Sequence, residues 1–197
     1  MATPRERFRA YLESGDKRWI LPALAGSGLA HMASQVIVAF TDEEMQARTA
    51  GVPISAWYTA LLLWPIATLV ASALNAALLG WTGRWLGGQA TRASLLVAIG
   101  WSVMPVALTA PLVTAEAIAL LRGASNPGKA GGLAGVAESI TGWAFAVTAI
   151  MSILRLIISV SEAQRFSKMR AAGNFVLAGL PFFMVALALV LTATGIR

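Results

Sequence analysis

Apolar residues gather into five long runs separated by short polar stretches, at about 19–40, 56–80, 93–121, 139–160 and 174–196. Each run reaches the roughly 20 residues that a helix needs to cross a hydrocarbon layer about 30 Å thick. Residues 1–18 precede them and are polar, but Phe8, Tyr11 and Leu12 recur at i, i+3 and i+4. That spacing puts them on one face of a short amphipathic helix at the membrane interface. Thr3 and Glu6 stand at capping-box spacing, and Pro4 suits the first helical position. The pattern predicts an all-α fold, a polytopic membrane bundle of five transmembrane helices behind a short N-terminal interfacial helix. Residues 1–18 form a cytoplasmic amphipathic segment in this reading, and residues 19–197 one membrane domain.

Small residues mark where the helices should meet. The first span holds Gly26, Ser27, Gly28, Ala30, Ala33 and Ser34, and in the second Ser72, Ala76 and Gly80 recur every fourth position. Such stripes let helix backbones approach closely. Prolines interrupt the spans at Pro65, Pro105, Pro111 and Pro181, and each is a candidate kink. An acidic loop begins at Thr41-Asp42-Glu43-Glu44, and a glycine-rich loop runs from Gly123 to Ala137.

Composition supports the membrane reading. The chain is 57% hydrophobic and 12% charged, against about 45–50% and 25% in soluble domains. There is no cysteine and a single histidine, His31. Disulfides and thiolate chemistry are therefore excluded, no metal site or cofactor is expected, and no nucleophile–base–acid set can be assembled. An enzyme is the least supported class. The net charge of +6 reads as loop charge on a membrane protein rather than as nucleic-acid binding. Lys and Arg number five in the N-terminal segment, two in the second loop and three in the fourth, against four in the intervening loops and at the C-terminus. The positive-inside rule then puts the N-terminus in the cytoplasm and the C-terminus on the opposite side.

Two groups of residues carry candidate chemistry. Arg84, Trp85, Gly87, Gly88, Arg92, Arg165, Lys168 and Arg170 would form a cationic and aromatic contact surface in the short inner loops. The intramembrane polar residues are His31, Asn75, Glu116 and Arg155, each costly in hydrocarbon unless partnered. Arg155 is expected to snorkel to the interface or pair with Glu162, seven residues on, and Asn75 and His31 to hydrogen-bond a neighbouring helix. Glu116 and Glu138 could together bind a cation or relay protons. The second and third spans also resemble the fourth and fifth. Each pair has a basic inner loop with an Arg-aromatic step (Arg84-Trp85, Arg165-Phe166), then a proline in the outgoing helix (Pro105, Pro181). A parallel duplication would account for this.

Gly87-Gly88 in a short basic loop, followed by Gly100-Trp101-Ser102 and Pro105, resembles the signature of the Yip-one domain family, the Ypt/Rab-GTPase-interacting five-span membrane proteins. The likeness covers roughly residues 15 to 195. It implies five spans with a cytosolic N-terminus, in agreement with the charge count. The Asp-Leu-Tyr-Gly-Pro element of the eukaryotic members is missing, so the resemblance does not extend to GTPase recruitment. Arginine- and alanine-rich composition points to a prokaryotic-type member in a bacterial inner membrane. The expected function is a non-enzymatic membrane protein that binds partner proteins, lipids or itself and organises membrane. A small oligomeric transporter or channel, or an assembly subunit of a larger membrane complex, is the alternative.

Overall fold

The computed structural model describes residues 3–14, 17–125 and 134–194. Among the described residues seven helices follow one another: α1 Pro4–Ser14, α2 Ile20–Thr41, α3 Glu43–Thr49, α4 Ile54–Trp85, α5 Arg92–Ser125, α6 Ala134–Gln164 and α7 Lys168–Thr194. The fold is all-α. Its five long helices, α2 and α4 to α7, fall on the five apolar runs. Among the described residues, α2, α4, α5 and α6 are apolar and long enough to cross a bilayer. α4 and α5 run unbroken past Pro65, Pro105 and Pro111. The acidic loop contains the short α3, whose first turn is capped by the Asp42 carboxylate accepting from the Met45 N–H at 2.9 Å.

α2 is the central helix. It shares that place with α5: buried residues make up 56% and 50% of their apolar stretches, against 17% for α4, and α2 packs on both α4 and α5. Its small residues make this possible. A methyl group at Gly26 would lie 3.2 Å from the Ala107 Cβ of α5, and one at Gly28 would strike Thr68 beside Pro65 of α4. The predicted ridge on α4 is also present, since Ser72, Ala76 and Gly80 are all buried. Bulky apolar side chains such as Leu62, Leu63, Ile66 and Leu108 point outward instead. That inversion is expected where the solvent is hydrocarbon and helix association depends on close packing.

α1 does not lie apart from the bundle. Phe8 is fully buried, with its ring 5.3 Å from that of Trp101 on α5. Tyr11 and Leu12 pack partly buried against the same cluster. Arg9 donates to the Glu162 carboxylate of α6 at 2.8 Å. At the start of the helix the Thr3 N–H donates to Glu6 at 2.7 Å, and the Glu6 N–H donates to the Thr3 hydroxyl at 3.3 Å. The Thr3 N–H holds the Glu6 carboxyl below its ordinary value. This cap therefore acts above the usual carboxylate range and is lost only as pH falls through the lowered value.

α4 and α6 end in the same device. The Gly88 N–H donates to the Gly83 carbonyl at 2.8 Å and the Gly87 N–H to the Arg84 carbonyl at 3.0 Å. Likewise the Phe166 N–H donates to Ser161 at 2.8 Å and the Arg165 N–H to Glu162 at 3.2 Å. Both are Schellman caps with the penultimate residue in the left-handed region, Gly87 at φ 83° and Arg165 at φ 58°. Each outgoing helix then opens on a hydroxyl cap, Thr91 for Ser94 and Ser167 for Arg170. Counted from those caps, the fourth, seventh and eleventh residues are buried in both helices: Leu95, Ala98 and Ser102 in α5, and Ala171, Asn174 and Ala178 in α7. Pro105 and Pro181 share the fourteenth place. The two hairpins thus share caps and register, with Phe166 matching Gly88 rather than Trp85.

Replacing Phe8 by Ala should loosen α1 by about 3 kcal/mol, the usual effect of removing a buried ring. Hydrogen exchange across residues 4–14 should accelerate by about two orders of magnitude, with exchange in α2 and α5 unchanged.

Candidate functional site at the basic end

The helices that carry the candidate cations extend past their expected ends. Arg84 and Trp85 form the last turn of α4 rather than a loop, Arg92 opens α5, and Lys168 and Arg170 lie in the first turn of α7. Residues 86–91 connect α4 to α5 and residues 165–167 connect α6 to α7 at this end. The reason lies in the caps, because a helix continues through polar sequence until a residue takes the left-handed conformation and its carbonyls are satisfied. Arg84, Arg92, Arg165, Lys168 and Arg170 are all exposed. Trp85 is 66% exposed and packs against Trp81, the ring centroids 4.3 Å apart and the planes tilted by 59°. The topology therefore gathers all of them at one end of the bundle.

Beneath this surface lies a polar knot that the sequence reading missed. Gln164, the last residue of α6, is 1% exposed and donates to the Leu79 carbonyl of α4 at 2.8 Å. Asn174 of α7 is fully buried and donates to the same carbonyl at 3.1 Å. Its own carbonyl oxygen accepts from the Thr82 hydroxyl at 2.5 Å. Space for the Gln164 amide exists only because Gly83 and Gly88 flank it, since a methyl group on either would collide with it. The Phe166 ring closes the niche over Gly88. Three helices are thereby tied through one backbone oxygen. A buried amide facing Gly83 of α4 and Gly88 of the loop that follows it was the available signal, but only the chain's turn at Gly87 brings these residues together.

The Gly100-Trp101-Ser102 stretch is a second junction. A methyl group on Gly100 would lie 2.7 Å from the Ile20 side chain, so glycine sets the approach of α2 to α5. Ser102 is buried and donates to the Ile99 carbonyl of its own helix at 2.7 Å. Pro105, one turn further on, is buried and supplies no N–H to the Trp101 carbonyl. Trp101 receives Phe8 from α1 and Arg155 from α6, whose guanidinium carbon sits 3.7 Å from the ring centroid. Such a contact contributes about 0.5–2 kcal/mol. At the mouth of this junction a cleft of about 570 Å³ is lined by Arg9, Leu12, Glu13, Ser94, Glu162, Ala163, Arg165 and Phe166.

Other expectations need correction. Glu162 pairs with Arg9 rather than Arg155, which has no ion pair among the described residues. Asn75 makes no interhelical hydrogen bond there, and Asn174 does so instead. His31 is exposed and stacks on Trp64 of α4 at 6.0 Å, and its ring makes no hydrogen bond among the described residues. The Glu116 carboxylate has one buried oxygen without a partner. It lies 15 residues along α5 from Trp101, about 22 Å by helical rise, so it and Arg155 do not meet. The Glu138 side chain and most of the glycine-rich loop lie outside the described residues.

The model of the Yip1 domain matches residues 1–191 of the chain, nearly its whole length. The protein belongs to the Yip1 domain family. No curated protein and no solved structure matches it. Membership agrees with the apolar helices in making this Yip1 chain an integral membrane protein. The Gly-Gly loop and the Gly-Trp-Ser stretch that carried the resemblance now have physical roles: one admits the Gln164 amide, and the other joins α1, α2 and α6 to α5.

The two left-handed caps should respond to substitution with opposite signs. Gly87→Ala meets no neighbouring atom and should cost only backbone strain, about 1 kcal/mol. Arg165→Gly should stabilise by a similar amount. Gly88→Ala should cost about 1–3 kcal/mol through overpacking, and Gln164→Ala in the same chain should remove most of that clash. Thermal unfolding of the four variants in detergent measures all of these effects.

Proposed function

We propose that this Yip1 protein is a non-enzymatic membrane organiser whose basic end, facing the cytoplasm, is its contact surface for partner proteins or anionic lipid. The bacterial inner membrane is the setting that its arginine- and alanine-rich composition favours. The observation that carries the reading is the placement of three cations. Arg92 and Lys168 occupy the first position of α5 and α7, and Arg170 the third of α7. The helix dipole disfavours positive charge there by about 0.3–1 kcal/mol each. Exposed Trp85 and Met169, the latter 83% exposed, lie beside them. Cationic side chains interleaved with exposed aromatic and thioether groups suit a partner surface better than they suit the bundle's stability. The rigid knot of Gln164, Asn174 and Thr82 beneath them holds the surface in a fixed shape. Orientation rests on the excess of Lys and Arg in the N-terminal, second and fourth polar segments.

The triple change Arg92→Gln, Lys168→Gln and Arg170→Gln separates contact from folding. Thermal stability should stay level or rise by up to about 1 kcal/mol per site, while cross-links to neighbouring proteins and anionic lipid in native membranes should fall. Unchanged cross-linking in correctly oriented protein, checked with terminal reporter tags, would count against the contact surface.

A further inference from the structure

The cleft of about 570 Å³ at the basic end is bounded by α1, the start of α5 and the end of α6, and it has charges of both signs in its lining. Its volume lies in the range of small-ligand sites. Arg9 and Glu162 are already joined there at 2.8 Å. Arg165 and Glu13 are exposed, and neither side chain makes a hydrogen bond or ion pair among the described residues. Leu12 and the buried Phe166 supply apolar lining.

Arg165 is also the one non-glycine residue with a positive φ among the described residues, at 58°. Backbone strain of this kind is a starting point for a functional argument. The matching cap after α4 shows the relaxed solution, because Gly87 takes the left-handed position there and lies outside the cleft. Favourable charge at a helix C-terminus does not account for the difference, since Arg84 has that benefit within the ordinary last turn of α4. What sets Arg165 apart is that it borders the cleft. An uncommitted guanidinium disfavours a simple cation, and an uncommitted carboxylate disfavours a simple anion. A zwitterion satisfies both. The cleft lies at the helix ends, the level of the polar layer of a bilayer, where the zwitterions are phosphate esters. A guanidinium fork binds two phosphate oxygens at once. We propose that this cleft binds a phosphoethanolamine group. Arg165 donates to the phosphate, the ammonium donates to the Glu13 carboxylate, and Leu12 and Phe166 exclude water from the carbon atoms between. The site is separate from Arg92, Lys168 and Arg170 and does not rest on their role.

Native mass spectrometry of the full chain in detergent tests this, with phosphatidylethanolamine as probe. Phosphatidylglycerol lacks the ammonium, and phosphatidylcholine has one that cannot donate. The wild type should retain phosphatidylethanolamine in preference to both. Arg165→Gly removes the guanidinium while relieving the backbone, so it should raise thermal stability yet weaken retention by about tenfold or more. Glu13→Gln should abolish the preference for phosphatidylethanolamine over phosphatidylglycerol. Arg48→Gln, on α3 at the far end, should change nothing. A second arm offers glycerophosphoethanolamine without lipid. Binding in that arm assigns the headgroup alone as the ligand, whereas retention of phosphatidylethanolamine only assigns the lipid, and either result supports the site. Wild-type retention and preference in both Arg165→Gly and Glu13→Gln would overturn the proposal, as would a wild type that favours neither form of phosphoethanolamine.

Discussion

One backbone oxygen, the Leu79 carbonyl, carries more of this structure than any side chain. It accepts from Gln164 of α6 and Asn174 of α7, and so fixes two helices against a third. In water such a bond would compete with solvent and contribute about 1 kcal/mol. At the edge of a bilayer the same groups have few alternatives, and an unsatisfied buried amide costs several times as much. Gly83 and Gly88 are the condition for it, because any side chain there would exclude the Gln164 amide. The position of Gly87, in the left-handed conformation, turns the chain so that Gly88 faces inward.

The rest of the bundle obeys the same constraint by another route. Lipid offers no hydrophobic drive to bring helices together, so contact follows backbone proximity. Gly26 and Gly28 admit α5 and α4 to two sides of α2, and Gly100 admits Ile20. Large side chains cap these seams or leave for the lipid. Trp101 is an exception with a purpose: its ring is the platform on which α1 and α6 meet α5, through Phe8 and Arg155. The amphipathic N-terminal helix thus becomes part of the bundle.

Much of the fold was legible because membrane helices are written in long runs. The long apolar helices, the Thr3–Glu6 cap, the apolar face of α1 and the Ser72-Ala76-Gly80 ridge all follow from spacing within one segment. Partnerships across segments were not legible. Asn75 and Asn174 are the same residue type within a span, yet only Asn174 faces a carbonyl of another helix that accepts from it, and that depends on how α7 rotates against α4. The pairing of Glu162 was misread for the same reason. Helical spacing offered Arg155, but the docking of α1 supplied Arg9. Helix ends at the basic end were drawn too early because charge was taken as the end of helix. Capping geometry decides that, and the Schellman bonds at Gly88 and Phe166 come several residues later.

The two hairpins let the cost of each loop be compared. Both use the same cap, but the first fills the left-handed position with glycine and the second with arginine. A residue with a side chain pays about 1–2 kcal/mol there. Glycine at 165 would relieve it, and no contact of the Arg165 side chain offsets it among the hydrogen bonds and ion pairs described. Arg92, Lys168 and Arg170 add dipole repulsion at the starts of α5 and α7. Four cations at one end are therefore held in positions that local stability opposes. Positive-inside sorting needs only charge near the loop, wherever it is cheapest. Sorting alone therefore does not account for their placement at the helix starts and at a left-handed cap.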